Sequence, residues 1–334
     1  MYKLLSRKQK PDIAIDLGTA NTRIMTAAEG IVFDEPTLCC FSGDTGRKKM
    51  VAAGLNAVRM RGHDTNGLRV VRPLSYGVLN DIDATRMFLD YAIFASIGKH
   101  RPGRLTATIG VPTDATSAER NALMTAAKDA GIYSVTMVDE TIAAAQGAGI
   151  DIDAPTGAMI IECGAGLTEA VVISLGGLCG RAAIRKGGDS LDQSIIDYLH
   201  FKHKFQIGQN MAEQTKLELV EQMIVDAGAT GSIHVKGQNM VTGLPETRSI
   251  LVQELAVLVG KHIDAIADMS ANLLGDTAPD LCDDIYSNGI ILTGGSAAIN
   301  LIGQTLKDRI DVPITVADQS KSCVAYGLHS ALVH

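Results

Sequence analysis

Residues Asp12 to Thr22 read DIAIDLGTANT, and residues Ala158 to Val171 read AMIIECGAGLTEAV. Each is an apolar run that meets an acid, then a glycine, then a threonine. These are Asp16, Gly18 and Thr22 in the first stretch and Glu162, Gly164 and Thr168 in the second. The spacing acid–x–Gly–x–x–x–Thr is the same in both. An apolar run ending at an acid and a glycine predicts a buried strand entering a tight turn. Such a turn offers backbone N–H groups, hydroxyls and one carboxylate, a set that suits a phosphate with its metal ion. One copy is a weak signal, because many strands end this way. Two copies predict two similar halves facing one phosphate-bearing ligand across a cleft.

The 334 residues give room for two domains, each with its own core. A net charge of −7 argues against general nucleic-acid binding, which needs a basic surface. The six cysteines show no C-x-x-C pair and no metal-ligand spacing, and several lie in apolar runs, so they read as reduced core residues. The sequence shows no secretory leader, which agrees with a cytosolic protein, and no apolar run approaches the length of a membrane-spanning helix.

Residues 1–11, MYKLLSRKQKP, stand apart. Met1, Tyr2, Leu4 and Leu5 can cluster on one side of a short helix, with Lys3, Arg7, Lys8 and Lys10 around the rest. The segment reads either as a basic amphipathic anchor on anionic lipid or as a frayed, charged terminus. Strands are expected over Gly30–Phe33 and Pro36–Phe41, and a helix over Ala84–Ser96. Leu105–Val111 reads as a strand, and Thr116-x-x-Glu119 as a capping box opening a helix that stops at Gly131. Strand Val135–Val138 leads straight into Glu140 and the small-residue helix Ile142–Ala148. This alternation is an α/β pattern, in which ligand groups lie past the carboxyl ends of strands, where Glu140 falls.

The second half repeats the plan. A hairpin is expected around the second turn, then helices over Ser190–His203 and Met211–Val225. A glycine-rich, irregular stretch over Gly228–Thr247 follows, then a long amphipathic helix over Val252–Leu273. Ile290–Ser296, IILTGGS, is a strand with a third glycine-rich loop. The chain closes on strand Ile314–Val316 and a helix over Ser322–Val333.

Taken in order, IDLGTANT, DEP, RPLSYGVLNDID, VDETIAAAQGAG, VVISLGG, GGDSLD, IGQNMAEQTKLEL, TGLPE and LTGGSAAI resemble segments of the MreB family of bacterial actins. MamK-like filament proteins are close relatives of that family. The resemblance covers nearly the whole chain. It implies an α/β, actin-like ATPase fold: two similar α/β domains, each with a smaller subdomain, around a nucleotide cleft. Domain I would span 12–152 with an insertion at about 32–81, and domain II 153–314 with an insertion at about 191–252. The C-terminal helix, 315–334, would return to domain I.

The resemblance also implies ATP and Mg²⁺ as ligands. Asp16, Gly18, Thr19, Ala20, Asn21 and Thr22 would form the first phosphate loop, and Gly164, Ala165, Gly166 and Thr168 the second. Asp16 and Glu162 would lie at the metal. Glu140 would position the attacking water, with Thr168 beside it. Glu213 and Lys216 would touch ribose and adenine, and Gly294, Gly295 and Ser296 would line the adenosine. From the residues alone, Glu213 and Lys216 also fit a solvated ion pair on one helix, and Glu140 an acid favoured by a helix N-terminus.

The expected partners are further copies of the chain in a filament and an anionic membrane surface met by residues 1–10, but no nucleic acid. A cytoplasmic filament on the inner face of the membrane, in cell shape or intracellular organisation, is the leading function. A non-polymerising ATP-bound scaffold and a small-molecule phosphotransferase are the alternatives; a chaperone ATPase would need a peptide-binding domain for which no segment is evident. The second loop departs from the family's D-I-G-G-G-T-T-E. Glu162 stands for aspartate, Ala165 for a glycine and Leu167 for a threonine. These changes fall on the γ-phosphate side, so binding is expected to survive better than hydrolysis.

Overall fold

The computed structural model describes residues 10–43, 49–62, 67–225, 231–298 and 300–333. Residues 1–9, the expected membrane segment, therefore lie outside the described residues apart from its last basic residue, Lys10. The chain divides into two compact units, Met1–Gly149 with Ser322–His334, and Ile150–Lys321.

The first unit is built on strands β1 (Ile13–Leu17), β2 (Asn21–Thr26) and β3 (Gly30–Pro36). An excursion follows through β4 (Cys39–Ser42), β5 (Lys49–Ala53), α1 (Gly54–Val58), β6 (Leu68–Val71), β7 (Leu74–Ser75) and β8 (Val78–Leu79). Then come α2 (Ile82–Ile97), β9 (Thr106–Val111), α3 (Ser117–Asp129), β10 (Ser134–Asp139) and α4 (Glu140–Gly147). One five-stranded mixed sheet, ordered β10-β9-β1-β2-β3, forms the centre. Every residue of β1 is buried, because parallel β9 and antiparallel β2 flank it and both sheet faces are covered. The insertion starts later than residue 32: β3 stays paired with β2 as far as Pro36, opposite Asn21. Thr116 with Glu119 forms the expected capping box of α3, and Asp81 caps α2 by accepting from Ala84 N at 2.9 Å.

The second unit repeats the arrangement with β11 (Ala158–Cys163), β12 (Thr168–Ser174), β13 (Gly177–Ile184), α5 (Gly188–His203), β14 (Phe205–Gln206), α6 (Gln209–Val225), β15 (Ser232–Asn239), β16 (Pro245–Leu251), α7 (Val252–Gly275), α8 (Pro279–Asn288), β17 (Ile290–Thr293), α9 (Asn300–Ile310) and β18 (Ile314–Val316). Its five-stranded sheet runs β13-β12-β11-β17-β18. The stretch read as irregular carries a regular hairpin, β15 with β16, paired from Ser232–Leu251 to Gln238–Pro245. Its Ile233, Val235 and Ile250 are buried, and that alternation outweighs the glycines and polar residues between them. β18 pairs in parallel with β17 and so belongs to this unit, and the return to the first unit is made by α10 (Cys323–Val333) alone.

α10 packs on α4 and β1 at very short range. A Cβ on Gly147 would lie 1.8 Å from Cys323 O, and one on Gly327 would lie 1.8 Å from Ala143 O. The two helix backbones touch at these glycines, and no larger residue fits. Four cysteines are buried as expected, Cys282 is half-buried, and Cys179 is exposed on the edge strand β13. No helix among the described residues is long and apolar enough to cross a membrane.

Candidate functional site

The two matched turns are real hairpins with matching register. In the first, Leu17 faces Thr22 and Asp16 faces Arg23. In the second, Cys163 faces Thr168 and Glu162 faces Glu169. Gly18 N donates to Asn21 O at 3.1 Å, and Gly164 N donates to Leu167 O at 2.9 Å. A Cβ at Gly18 would meet Asn21 O at 2.7 Å, and at Gly164 it would meet Leu167 O at 2.9 Å, so both turns require glycine.

The repeated threonines turn inward. Thr22 and Thr168 are fully buried. Thr22 Oγ1 lies 2.8 Å from Thr37 Oγ1, and Thr168 Oγ1 donates to Lys186 O at 2.8 Å. The hydroxyl proton of Thr168 is thus engaged by backbone. Thr19 Oγ1 accepts from Gly77 N at 3.0 Å, and Ala20 O accepts from Thr37 N at 2.8 Å. Asn21 reaches sideways to Asp34 at 3.3 Å.

Asp16 is buried and receives Arg23 Nη1 at 3.2 Å, while Arg23 Nε donates to Asp34. Burial pushes the Asp16 carboxyl up to about 6, against the pull of Arg23. Glu140 opens α4 directly after β10, with Asp139 as the N-cap residue. β9 lies between β10 and β1, so Glu140, just past the end of β10, and Asp16, the last residue but one of β1, lie at the carboxyl ends of strands two apart in one sheet. Gly110 makes the space: a Cβ there would sit 3.1 Å from Glu140 Cγ.

In the second unit several predicted residues converge. Gly164 O accepts from Gly188 N at 3.2 Å and from Ser296 Oγ at 3.1 Å, and Ala165 O accepts from Asp189 N at 2.8 Å. Lys216 is buried, donates to Gly188 O at 3.3 Å, and lies 3.0 Å from Asp192 Oδ1. A Cβ on Gly188 would stand 3.3 Å from both Lys216 Nζ and Ser296 Oγ. The second turn, the start of α5, Lys216 and the third glycine loop therefore form one cradle. Gly294, at φ +89°, presses on the turn: its Cβ would be 2.4 Å from Cys163 O and 2.7 Å from Glu162 Oε1. Gly166 is buried in the turn, and Gly295 is exposed beside open space. Thr293 Oγ1, next to Gly294 and opposite Glu162 across β17 and β11, is buried without a hydrogen-bond partner among the described residues.

The ion pair that helical spacing allows between Glu213 and Lys216 is not formed, because Lys216 turns inward to Asp192 while Glu213 stays exposed. Burial lifts Asp192 to about 6; Lys216 opposes the rise, and Glu213 adds to it. His262 of α7 is pushed down to about 4 by burial and by the positive charges of Lys186 and Lys216. Gly188, Asp192, Gly110 and Thr37 belong to these arrangements and were not singled out from sequence. For Asp192 a signal existed, since it lies four residues after Gly188 and so one helical turn along the same face. For Gly110 and Thr37 none existed, because only the fold brings them to the turns.

The family model described as "MreB/Mbl protein" matches residues 10–334. Among curated relatives, the cell shape-determining protein Mbl of Bacillus subtilis is 34% identical over 316 residues, covering 95% of this chain and 94% of that one. Among solved structures, MreB5 of Spiroplasma citri bound to ADP superposes with a TM-score of 0.86 at 32% identity, covering 96% of this chain and 95% of that one. A second structure of the same protein holds AMPPNP. The MamK double helical filament, at 21% identity and a TM-score of 0.74, covers 96% of this chain and 97% of that one and shares the fold. With its matched hairpins, its two five-stranded sheets and these likenesses, the chain belongs to the MreB/Mbl family and has the actin-like fold.

Proposed function

We propose that this protein binds Mg-ATP and assembles into filaments on the cytoplasmic face of an anionic membrane, where they organise cell shape. The observation that carries the nucleotide is the cradle in the second unit. Gly164, Gly188, Lys216 and Ser296 converge there: a Cβ on Gly188 would crowd the Lys216 ammonium and the Ser296 hydroxyl, both at 3.3 Å, with the second turn behind them. In the first unit Gly18, Thr19 and Ala20 supply the matching turn. Its N–H groups suit phosphate oxygens. The S. citri relative solved with ADP and with AMPPNP supports the same ligand.

Mg²⁺ takes one or two carboxylates with phosphate oxygens and water. Asp16 and Glu162, at the base of the two turns, are the residues that would hold it, and the bound ion would neutralise phosphate charge. Glu140, at the start of α4, would orient a water. Leu167, buried in the turn, can neither donate to nor accept from one. Binding is therefore the function these residues serve best, with slow turnover.

Filament formation rests on membership of a family whose curated members are named for cell shape. The membrane reading rests on the basic, apolar start of the chain, and on Phe94 at the end of α2, whose ring is 69% exposed. The deciding experiment is calorimetry with Mg-ATP on the full chain and on Gly188→Leu. The nearest neighbours of that Cβ are the side-chain ends of Lys216 and Ser296 and not backbone, so Gly188→Leu should fold yet lose ATP binding. No binding by the unmodified protein would sink the nucleotide reading, and bound protein that never pellets or shows filaments by electron microscopy would favour the scaffold instead.

A further inference from the structure

Two side chains of the cradle meet at one point in front of Gly188. A Cβ there would stand 3.3 Å from Lys216 Nζ and 3.3 Å from Ser296 Oγ. Both residues are buried, and both belong to the second unit. What a ligand meets at that point depends on where their hydrogens go.

A serine hydroxyl has one hydrogen and two lone pairs. Ser296 donates its hydrogen to Gly164 O at 3.1 Å. The same carbonyl takes Gly188 N at 3.2 Å, so the second turn, the start of α5 and the third loop share one acceptor. The third loop is also pressed against the turn at Gly294, where a Cβ would lie 2.4 Å from Cys163 O. Ser296 is thus held with its hydrogen spent and its lone pairs left over.

An ammonium has three hydrogens and no lone pair. Three acceptor oxygens stand close to Lys216 Nζ: Gly188 O at 3.3 Å, Asp192 Oδ2 at 3.1 Å and Asp192 Oδ1 at 3.0 Å. The hydrogen bond to the carboxylate falls on Oδ2, and Oδ1 is met by the charge. Lys216 is therefore committed to α5, and its charge is balanced there. The side-chain hydrogens at this point are all directed at the protein, and what remains is an acceptor.

Adenine carries an amino group, a donor, at its 6-position, where guanine carries an oxygen, an acceptor. A point that offers only lone pairs takes the first and repels the second. For Ser296 to donate to the guanine oxygen it would have to release Gly164 O, which exchanges one hydrogen bond for another without gain.

We propose that Ser296 is the specificity-determining residue of the cradle: its lone pairs accept the 6-amino group of adenine, and the commitment of Lys216 to Asp192 leaves no side-chain hydrogen for the 6-oxo group of guanine. This rests on the nucleotide site proposed above.

The test is calorimetric titration of the full chain with Mg²⁺ at pH 8, where Asp192 is ionised. The ligands are ATP, GTP, ITP and the triphosphate of 2,6-diaminopurine riboside. Inosine has the 6-oxo group of guanine without its 2-amino group, and diaminopurine has both amino groups. GTP and ITP should each bind about tenfold more weakly than ATP, the order of one exchanged hydrogen bond, and the diaminopurine nucleotide should bind like ATP. Ser296→Ala should bring ATP, GTP and ITP to within about twofold of one another, chiefly by weakening ATP. Asp192→Asn takes one carboxylate oxygen from Lys216 and frees a hydrogen for the 6-oxo group, so GTP should gain on ATP there as well. Each variant is judged by its own ratio of affinities, because a merely damaged cradle loses all four ligands alike. ATP that binds no more tightly than GTP or ITP in the unmodified protein, or a ratio that Ser296→Ala leaves unchanged, would overturn the proposal. Should Ser296→Ala not fold, the ratio in Asp192→Asn decides in its place. An unmodified protein that binds none of the four refutes the nucleotide reading and this inference with it, whereas equal binding of ATP and GTP refutes this inference alone.

Discussion

Thr22 and Thr168 hold the same place in two hairpins, and each hydroxyl is spent on the strand connection behind it, not on the open side of the turn. Their replacement by valine keeps shape and removes one buried hydrogen bond. Each should cost about 1–2 kcal/mol in denaturant unfolding. Because the two residues lie in different units, the double variant should show the sum of the single costs to within about 0.5 kcal/mol. His262 gives a pH signature. Its imidazole falls from the usual 6.5 to about 4, so the folded state binds fewer protons than the unfolded chain in that interval. Stability from this residue is full above pH 6.5 and is lost as pH falls toward 4, on the order of 3 kcal/mol in all. Asp16 and Asp192, both raised, act in the opposite sense over an overlapping range, but they are common to variant and parent. Unfolding free energy measured from pH 7 to 4 should therefore fall less steeply in His262→Gln than in the unmodified chain.

At the scale of the element, the second turn bears on the proposed turnover. Leu167 closes the hairpin by accepting Gly164 N, and its side chain is buried beside a cradle that is otherwise polar. Phosphoryl transfer depends on positioned groups, so one missing orienting hydroxyl should slow turnover more than it weakens binding. Phosphate release should be slow in the unmodified protein, faster in Leu167→Thr and lost in Glu140→Ala, with ATP affinity changed less than tenfold in each. Equal rates for the unmodified protein and Leu167→Thr would reject the idea. The hairpins were legible because acid, glycine and threonine recur at one spacing, and the capping box of α3 because its residues are local. The β15–β16 hairpin was not, since polar residues and glycines hide an alternation only three buried residues long. Lys216 was found, but of its two readings the solvated pair with Glu213 fails, because helical spacing names neighbours on the same helix and says nothing of Asp192 on another. The cradle around Gly188 is assembled from α5, α6 and two loops, and such convergence is a property of the fold.

At the scale of the whole molecule, many weak surface contacts can act together. Each basic residue near an anionic bilayer contributes about 1 kcal/mol, and the proposed filament would present many copies of residues 1–10 at once. Pelleting with anionic liposomes should depend on ATP and low salt. It should fall on deletion of residues 1–10 and on Phe94→Ser, while filament length without lipid stays unchanged. The excursion of the chain through its second unit bears on another matter, the order in which the protein can be made. The second unit is complete at Lys321, whereas the first still lacks α10. Until those last residues leave the ribosome, β1 and α4 have no cover where Gly147 and Gly327 later meet, and their buried apolar surface stays open to solvent and to other chains. The unit synthesised first is the one that finishes folding last, because half of the architecture waits for an eleven-residue helix made only after the whole second unit.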